Sequence, residues 1–151
     1  MTINVRHANT TDIVDLTRMA EAFFKSSPYS NLGYDETKVI NAFTLALQSP
    51  AFIVLIAEEE NKTVGLVAGF ISSSFFNDSL IAAELVWWVD REARHKGVGQ
   101  ALHTSFEEWA KNMNCKIVTM IALEDNTLEL VDKMYNKLGY RPAERSYIKE
   151  I

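Results

Sequence analysis

Apolar residues recur along this chain with two periods, and where the period changes, the elements change. Residues 3–6 alternate as a short strand. Thr10, Thr11 and Asp12 place hydroxyls and an acid at a helix start, and Ile13, Leu16, Ala20, Phe23 and Phe24 share one face of a helix to about Lys25. A loop of turn formers and tyrosines, 26–34, leads to a second helix over 35–48. There Val39, Ile40, Phe43, Ala46 and Leu47 face inward, and Pro50 forbids continuation. Residues 52–58 form an unbroken apolar, β-branched run, the pattern of a buried strand. A turn at 59–62 sends the chain back as an antiparallel partner over 63–71. Gly65 and Gly69 inside it signal a bulge or close packing.

After a loop at 72–79, the spacing predicts a strand over 82–90 and a helix from Val98 to about Asn112. A largely buried strand follows over 116–122. Residues 127–138 then form a helix with Leu128, Val131, Met134, Tyr135 and Leu138 inward, closed by Gly139 as a left-handed cap. Residues 140–149 read as a last strand or pair of strands, broken at its start by Pro142. The order β-α-α-β-β-β-α-β-α-β makes this an α/β chain with a mixed sheet and helices on both faces. The strands at 82–90 and 116–122 are joined by a helical crossover and so run parallel. Such a pair can splay past its carboxyl ends and leave an opening for a ligand. At 151 residues, without repeats or linker-like segments, the whole chain reads as a single domain.

The chemistry concentrates between the strand at 82–90 and the helix that follows. Gly97 and Gly99 lie at a helix start, where unpaired N–H groups and the positive end of the helix dipole make an anion site. Arg94, His95 and Lys96 stand at its lip. The phosphate loop G-x-x-x-x-G-K-[ST] and the dinucleotide fingerprint G-x-G-x-x-G are both absent, since position 102 is Leu. Arg94-x-x-Gly97-x-Gly99 after an apolar strand instead resembles the acetyl-CoA loop of the GNAT N-acetyltransferases, [QR]-x-x-G-x-[GA]. A second stretch, Lys133 to Tyr140, is similar to the family's Y-x-K-L-G-[FY] helix ending.

The resemblance implies a GNAT-like fold over nearly the whole chain and transfer of an acetyl group from acetyl-CoA to an amine. It places the pantetheine arm along the main chain of Trp87, Trp88 and Val89. It places the diphosphate on the N–H groups of Arg94, His95, Lys96, Gly97, Val98, Gly99 and Gln100. Tyr135 aligns with the family's tyrosine, whose hydroxyl protonates the leaving thiolate. A phenol suits that task, and on an apolar helix face a core aromatic with a bonded hydroxyl fits equally. Glu84, a lone carboxylate in an apolar strand, is the candidate base, its pKa raised by burial. The other reading of Glu84 is an acid escaping to solvent at a strand's start. Asn126 lies nine residues before Tyr135 where many relatives carry an asparagine seven before it; it either bonds the pantetheine arm or helps cap the helix.

Composition narrows the rest. A net charge of −5 argues against a nucleic-acid partner. A single Cys115 forms no internal disulfide, which points to a reducing, cytoplasmic setting and to a buried small hydrophobe rather than a nucleophile. No apolar run reaches the roughly 20 residues of a membrane span. No Cys/His spacing suits a metal. The acids at 58–60 read as a solvated turn, and His103 as a solvent-facing residue of the crossover helix. Trp87, Trp88, Phe75, Phe76, Tyr29 and Tyr34 are candidates to wall an amine pocket by cation–π contact, or simply core. Three functions stay open: an acetyl-CoA-dependent N-acetyltransferase, an idle acyl-CoA-binding module of the same fold, and a phosphate binder unrelated to CoA. The acceptor is an amine of a small molecule, peptide or protein, and a homodimer is compatible with the apolar edges.

Overall fold

The near-continuous burial along β2 (Phe52–Glu59) and β3 (Lys62–Ser73) sets the layering, because strands of this kind need cover on both faces. The computed structural model, which describes residues 2–151, shows a five-stranded sheet in the order β1-β2-β3-β4-β5. β1 (Ile3–His7), β2, β3 and β4 (Leu80–Val89) pair antiparallel, whereas β4 and β5 (Ile117–Thr119) run parallel. The β2–β3 hairpin turns through Glu60 and Asn61, both at positive φ (50° and 62°), the handedness that matches strand twist in a two-residue loop.

Strand alternation sorts the core into two layers. On one face α1 (Ile13–Ser26) and α2 (Glu36–Gln48) pack Leu16, Met19 and Phe43 against Val54, Ile56, Leu66 and Ala68. On the other, α3 (Val98–Asn112) packs Val98, Leu102 and Phe106 against Leu55, Val67 and Ala82. Each of these side chains larger than alanine contributes about 1.5–3 kcal/mol by leaving water. The 3₁₀ turn Thr10–Asp12 that leads into α1 carries a reciprocal cap, Asn9 accepting from Thr11 N–H and Asp12 from Asn9 N–H.

The acids at 58–60 do more than face solvent. Arg6 bridges Asp12 (2.9 Å) and Glu58 (2.7 Å), tying the α1 start to β2, and Glu59 accepts from Lys96 at 3.2 Å. Two strand ranges also differ from expectation. The β3–β4 hairpin is longer, with Ser74 N–H bonding Ser79 O, and carries Phe75 and Phe76 exposed at its tip. β5 is only three residues long and Ile117 is half exposed, because it has a ladder on one side alone.

The chain divides into two units, Met1–Ile121 and Ala122–Ile151. The second holds α4 (Leu128–Lys137), whose buried residue is Tyr135; Met134, expected inward, is exposed. Gly139 follows at φ 90°, the left-handed conformation anticipated for it. Residues 140–151 enter no ladder, so the expected last strand is absent. Pro142 lacks an N–H to pair, and the polar run that follows offers no apolar alternation to bury. Arg145 bonds Glu124 at 2.7 Å within this unit.

Gly69 bears the tightest packing in the sheet. A Cβ there would stand 2.5 Å from the Ala83 carbonyl oxygen and 2.6 Å from Phe106 Cε2. Gly69→Ala is therefore expected to lower the unfolding free energy by about 3 kcal/mol or more in urea denaturation. Adding Phe106→Leu should recover only part of it, since the carbonyl belongs to the backbone.

Candidate active site

The clash that forbids a side chain at Gly69 coincides with a break in register. Gly69 pairs with Glu84 and Ala68 with Val86, so Leu85 is the extra residue of a bulge in β4. The other edge of β4 is paired only at Ile81, Ala82 and Ala83, opposite Ile117, Val118 and Thr119. At Glu84 the ladder gives way to a side chain, whose carboxylate accepts the Ile121 N–H at 2.8 Å. Beyond that bond, the Trp87–Trp88–Val89 main chain has no described strand on its outer side.

Glu84 is 4% exposed. Burial raises its carboxyl from the ordinary 4.5 to about 7, the Ile121 N–H bond opposing the shift. The expectation of a buried acid thus holds, and the alternative of an acid escaping to solvent does not.

At the end of β4, Asp90 N–H makes a last bond to Val64 O, and residues 91–93 form one 3₁₀ turn. His95 and Gly97 both take positive φ (64° and 88°), which brings the chain round into α3. The first loop-to-helix bond runs from Ala101 N to Gly97 O, so the N–H groups of Val98, Gly99 and Gln100 precede the helical ladder. Gly99 lies against the sheet, its missing Cβ 3.5 Å from Trp87 Cζ2 and 3.7 Å from Val89 Cγ2. The basic residues of the lip are partly engaged already. Arg94 donates to Val89 O at 2.9 Å and lies 4.9 Å over the Trp88 ring, while Lys96 reaches Glu59. What the loop offers an anion is chiefly main chain.

The six aromatic candidates do not form one wall. Alternation sends Trp87 to the α3 face and Trp88 to the α1 face. Phe75 and Phe76 are 94% and 89% exposed at a hairpin tip. Tyr34 is held elsewhere, donating to Thr17 O at 3.0 Å. His103 was expected to face solvent and is instead buried, its ring 5.9 Å from Trp87 and its Nε2 3.4 Å from Glu107. Burial keeps this imidazole below its ordinary pKa, against the pull of Glu107. The signal was present: His103 stands one helical turn after Gly99, whose missing side chain leaves room over Trp87.

In the second unit, Tyr135 lies on α4 with its ring 5.5 Å from Tyr140. Asn126 is exposed just before α4, and the turn there is bonded by its neighbour, Asp125 accepting from Thr127 N–H at 2.7 Å.

A model of the acetyltransferase (GNAT) family matches residues 14–140. The chain belongs to the GNAT acetyltransferase family. Solved structures show the same fold in this GNAT chain at low identity. AAC(6')-Iy in complex with the bisubstrate analogue CoA-S-monomethyl-acetylneamine is 18% identical, with a TM-score of 0.83 over 100% of this chain and 99% of that one. An aminoglycoside acetyltransferase from an uncultured soil metagenomic sample is also 18% identical, TM-score 0.76, over 100% and 99% of the two chains. Glucosamine-6-phosphate N-acetyltransferase from Arabidopsis thaliana is 16% identical, TM-score 0.77, over 99% of each. No curated protein matches the GNAT chain in sequence.

Two predictions follow the geometry. Gly97→Ala forces an L-residue to φ 88° and should cost about 1–2 kcal/mol, whereas Gly99→Ala meets ordinary contacts and should be neutral or gain up to about 1 kcal/mol, read by chemical denaturation. Glu84 binds its proton more tightly folded than unfolded. Stability should therefore fall as pH rises from about 4.5 to about 7 and level off above, by about 3 kcal/mol at most. Glu84→Gln should remove that component from denaturation curves taken across the range.

Proposed function

We propose that this GNAT chain is an N-acetyltransferase that moves the acetyl group of acetyl-CoA to a primary amine by direct attack in a ternary complex. The observation that carries the reading is that the β4–β5 ladder stops at Ala83 on an edge of β4, while the loop after β4 enters α3 through the N–H groups of Val98, Gly99 and Gln100, which precede the helical ladder. A pantetheine arm is an extended chain with amide groups and needs such an edge; a diphosphate needs such N–H donors. Trp87, Trp88 and Val89 are the proposed partners of the arm. The main chain of Arg94, His95, Lys96, Gly97, Val98, Gly99 and Gln100 is the proposed diphosphate cradle, and Asn126 a further cofactor contact.

Acetyl-CoA supplies an activated acyl group as a thioester. The protein must deprotonate the incoming ammonium, polarise the carbonyl and give a proton to the departing sulfur. Glu84 is the proposed base, directly or through water, since a carboxyl near 7 is half ionised at neutral pH and can still take a proton. Tyr135, at the family's tyrosine position, is the proposed acid. A backbone N–H near Val89 is the proposed carbonyl donor. Glu84 takes the ammonium proton and gives it to water. The neutral amine nitrogen then bonds the acetyl carbon, the carbon–sulfur bond breaks, the Tyr135 Oη–H passes to sulfur, and the proton the nitrogen sheds on becoming an amide restores the Tyr135 hydroxyl.

The proposed acceptor is an amine of a small molecule, peptide or protein, a reading supported by the aminoglycoside acetyltransferases among similar folds; the whole of 1–151 is read as one acetyltransferase domain. Among the described residues no helix is long and apolar enough to cross a membrane, which with the lone Cys115 supports the cytoplasmic reading. No nucleic acid is required as a partner, and a homodimer is compatible with the reading.

The test is thiol release from acetyl-CoA across a panel of primary amines. Wild type should turn over at least one amine, with kcat rising with pH through about 7. Tyr135→Phe and Glu84→Gln should each lower kcat about 100-fold with little change in the KM for acetyl-CoA. Coenzyme binding without thiol release on any amine would mark an idle module, and a normal rate in Tyr135→Phe would remove that residue from the chemistry.

A further inference from the structure

The chain leaves the sheet at Asp90. Up to that residue β4 is held by β3, the last bond being Asp90 N–H to Val64 O at 2.9 Å. After it come the 3₁₀ turn and the loop 94–100, and the chain has crossed to the α3 face. Asp90 is gripped from the opposite face. Arg18 of α1 presents both terminal guanidinium nitrogens to the two carboxylate oxygens, Nη1 to Oδ1 and Nη2 to Oδ2, each at 3.0 Å. The same carboxylate accepts the Trp88 indole N–H at 3.0 Å, and Arg18 Nη2 also reaches Thr63 O at 3.4 Å. Trp88 in turn lies under the Arg94 guanidinium, and Arg94 bonds back to Val89 O. A chain of contacts therefore runs from α1 through Asp90 and Trp88 to the first residue of the loop.

A lone ion pair at the surface is worth little, and Arg18 is 45% exposed. This one differs in being two-pronged and in sharing its carboxylate with an indole donor, so it fixes a direction as well as a distance. Direction is what the loop needs, because main-chain donors bind an anion only when they converge. The Arg18 fork also lies at the edge of an open cavity of about 660 Å³ on the α1 face, apart from Glu84.

We propose that Arg18 and Asp90 are positioning residues for the coenzyme loop: the pair anchors the exit of β4 from the α1 face and so holds the donors of 94–100 in the arrangement that takes the diphosphate. The inference rests on the acetyl-CoA reading of that loop and extends it to residues outside the site.

Arg18→Met, Asp90→Asn and the double variant test it, because Asn keeps an acceptor for Trp88 while losing the charge. Each single variant should raise the KM for acetyl-CoA roughly fivefold with kcat within about twofold, and the double variant should be no worse than the weaker single. Arg18→Lys should fall between, retaining charge without the fork. Amide hydrogen exchange on the coenzyme-free protein gives a readout independent of activity: residues 94–100 should exchange faster in Arg18→Met, with β2 and β3 unchanged. Unchanged exchange in the loop, or a fall in kcat or melting temperature with the acetyl-CoA KM unmoved, would overturn the proposal. If wild type itself failed to bind coenzyme, the proposed function and the coenzyme half of this inference would fall together, while the exchange measurement would still decide whether the pair holds the loop.

Discussion

One hydrogen bond marks where the β4–β5 ladder gives way: Ile121 N–H to the Glu84 carboxylate, 2.8 Å. Parallel strands that begin side by side normally continue their ladder, since every backbone donor left unpaired away from water carries a cost. Here the ladder between β4 and β5 stops after three residues, and two residues beyond its end a side chain, Glu84, takes the Ile121 N–H. The two strands are thereby released from each other without orphaning Ile121. The carboxylate at this point is buried, and burial, against the opposing pull of the Ile121 bond, raises its proton affinity to about 7, so the place where the ladder ends also holds a group able to exchange a proton near neutral pH.

The bulge at Leu85 belongs to the same arrangement. Gly69 has no room for a side chain between Ala83 O and Phe106, and the register of β3 against β4 slips there by one residue. Slip, glutamate and end of ladder occur within three residues of β4. A sheet can be opened at low cost where pairing is already irregular, which is why bulges gather at such places. The exit of β4 is then constrained from both faces, by Arg18 on the α1 side and by Gly99 against Trp87 and Val89 on the α3 side.

The electrostatics of the loop are quieter than its sequence suggests. Three successive basic residues look like a positive lip, yet Arg94 is spent on Val89 O and Trp88, and Lys96 on Glu59. A chain with net charge −5 can still present an anion site, because fixed N–H groups and a helix dipole carry no formal charge. The recognition proposed for the loop therefore depends on backbone direction, which glycine and the anchors around it control.

The sequence by itself determined the element order as far as the last helix, the two-faced sheet, the helix starts and the glycine loop. These rest on local periodicity and on conformations that only particular residues adopt, so neighbours in sequence carry the information. Gly69 likewise announced an irregular strand, and Glu84 stood out as a charge in an apolar run. Other features depend on partners far along the chain. That Glu84 is buried, that β5 ends at Thr119, that residues 140–151 join no strand ladder and that His103 lies under cover were decided by packing between segments, which periodicity does not encode. The Arg18–Asp90 fork is the plainest case: two unremarkable surface charges, 72 residues apart, acquire a role only because a helix on one face of the sheet reaches the point where the chain departs for the other.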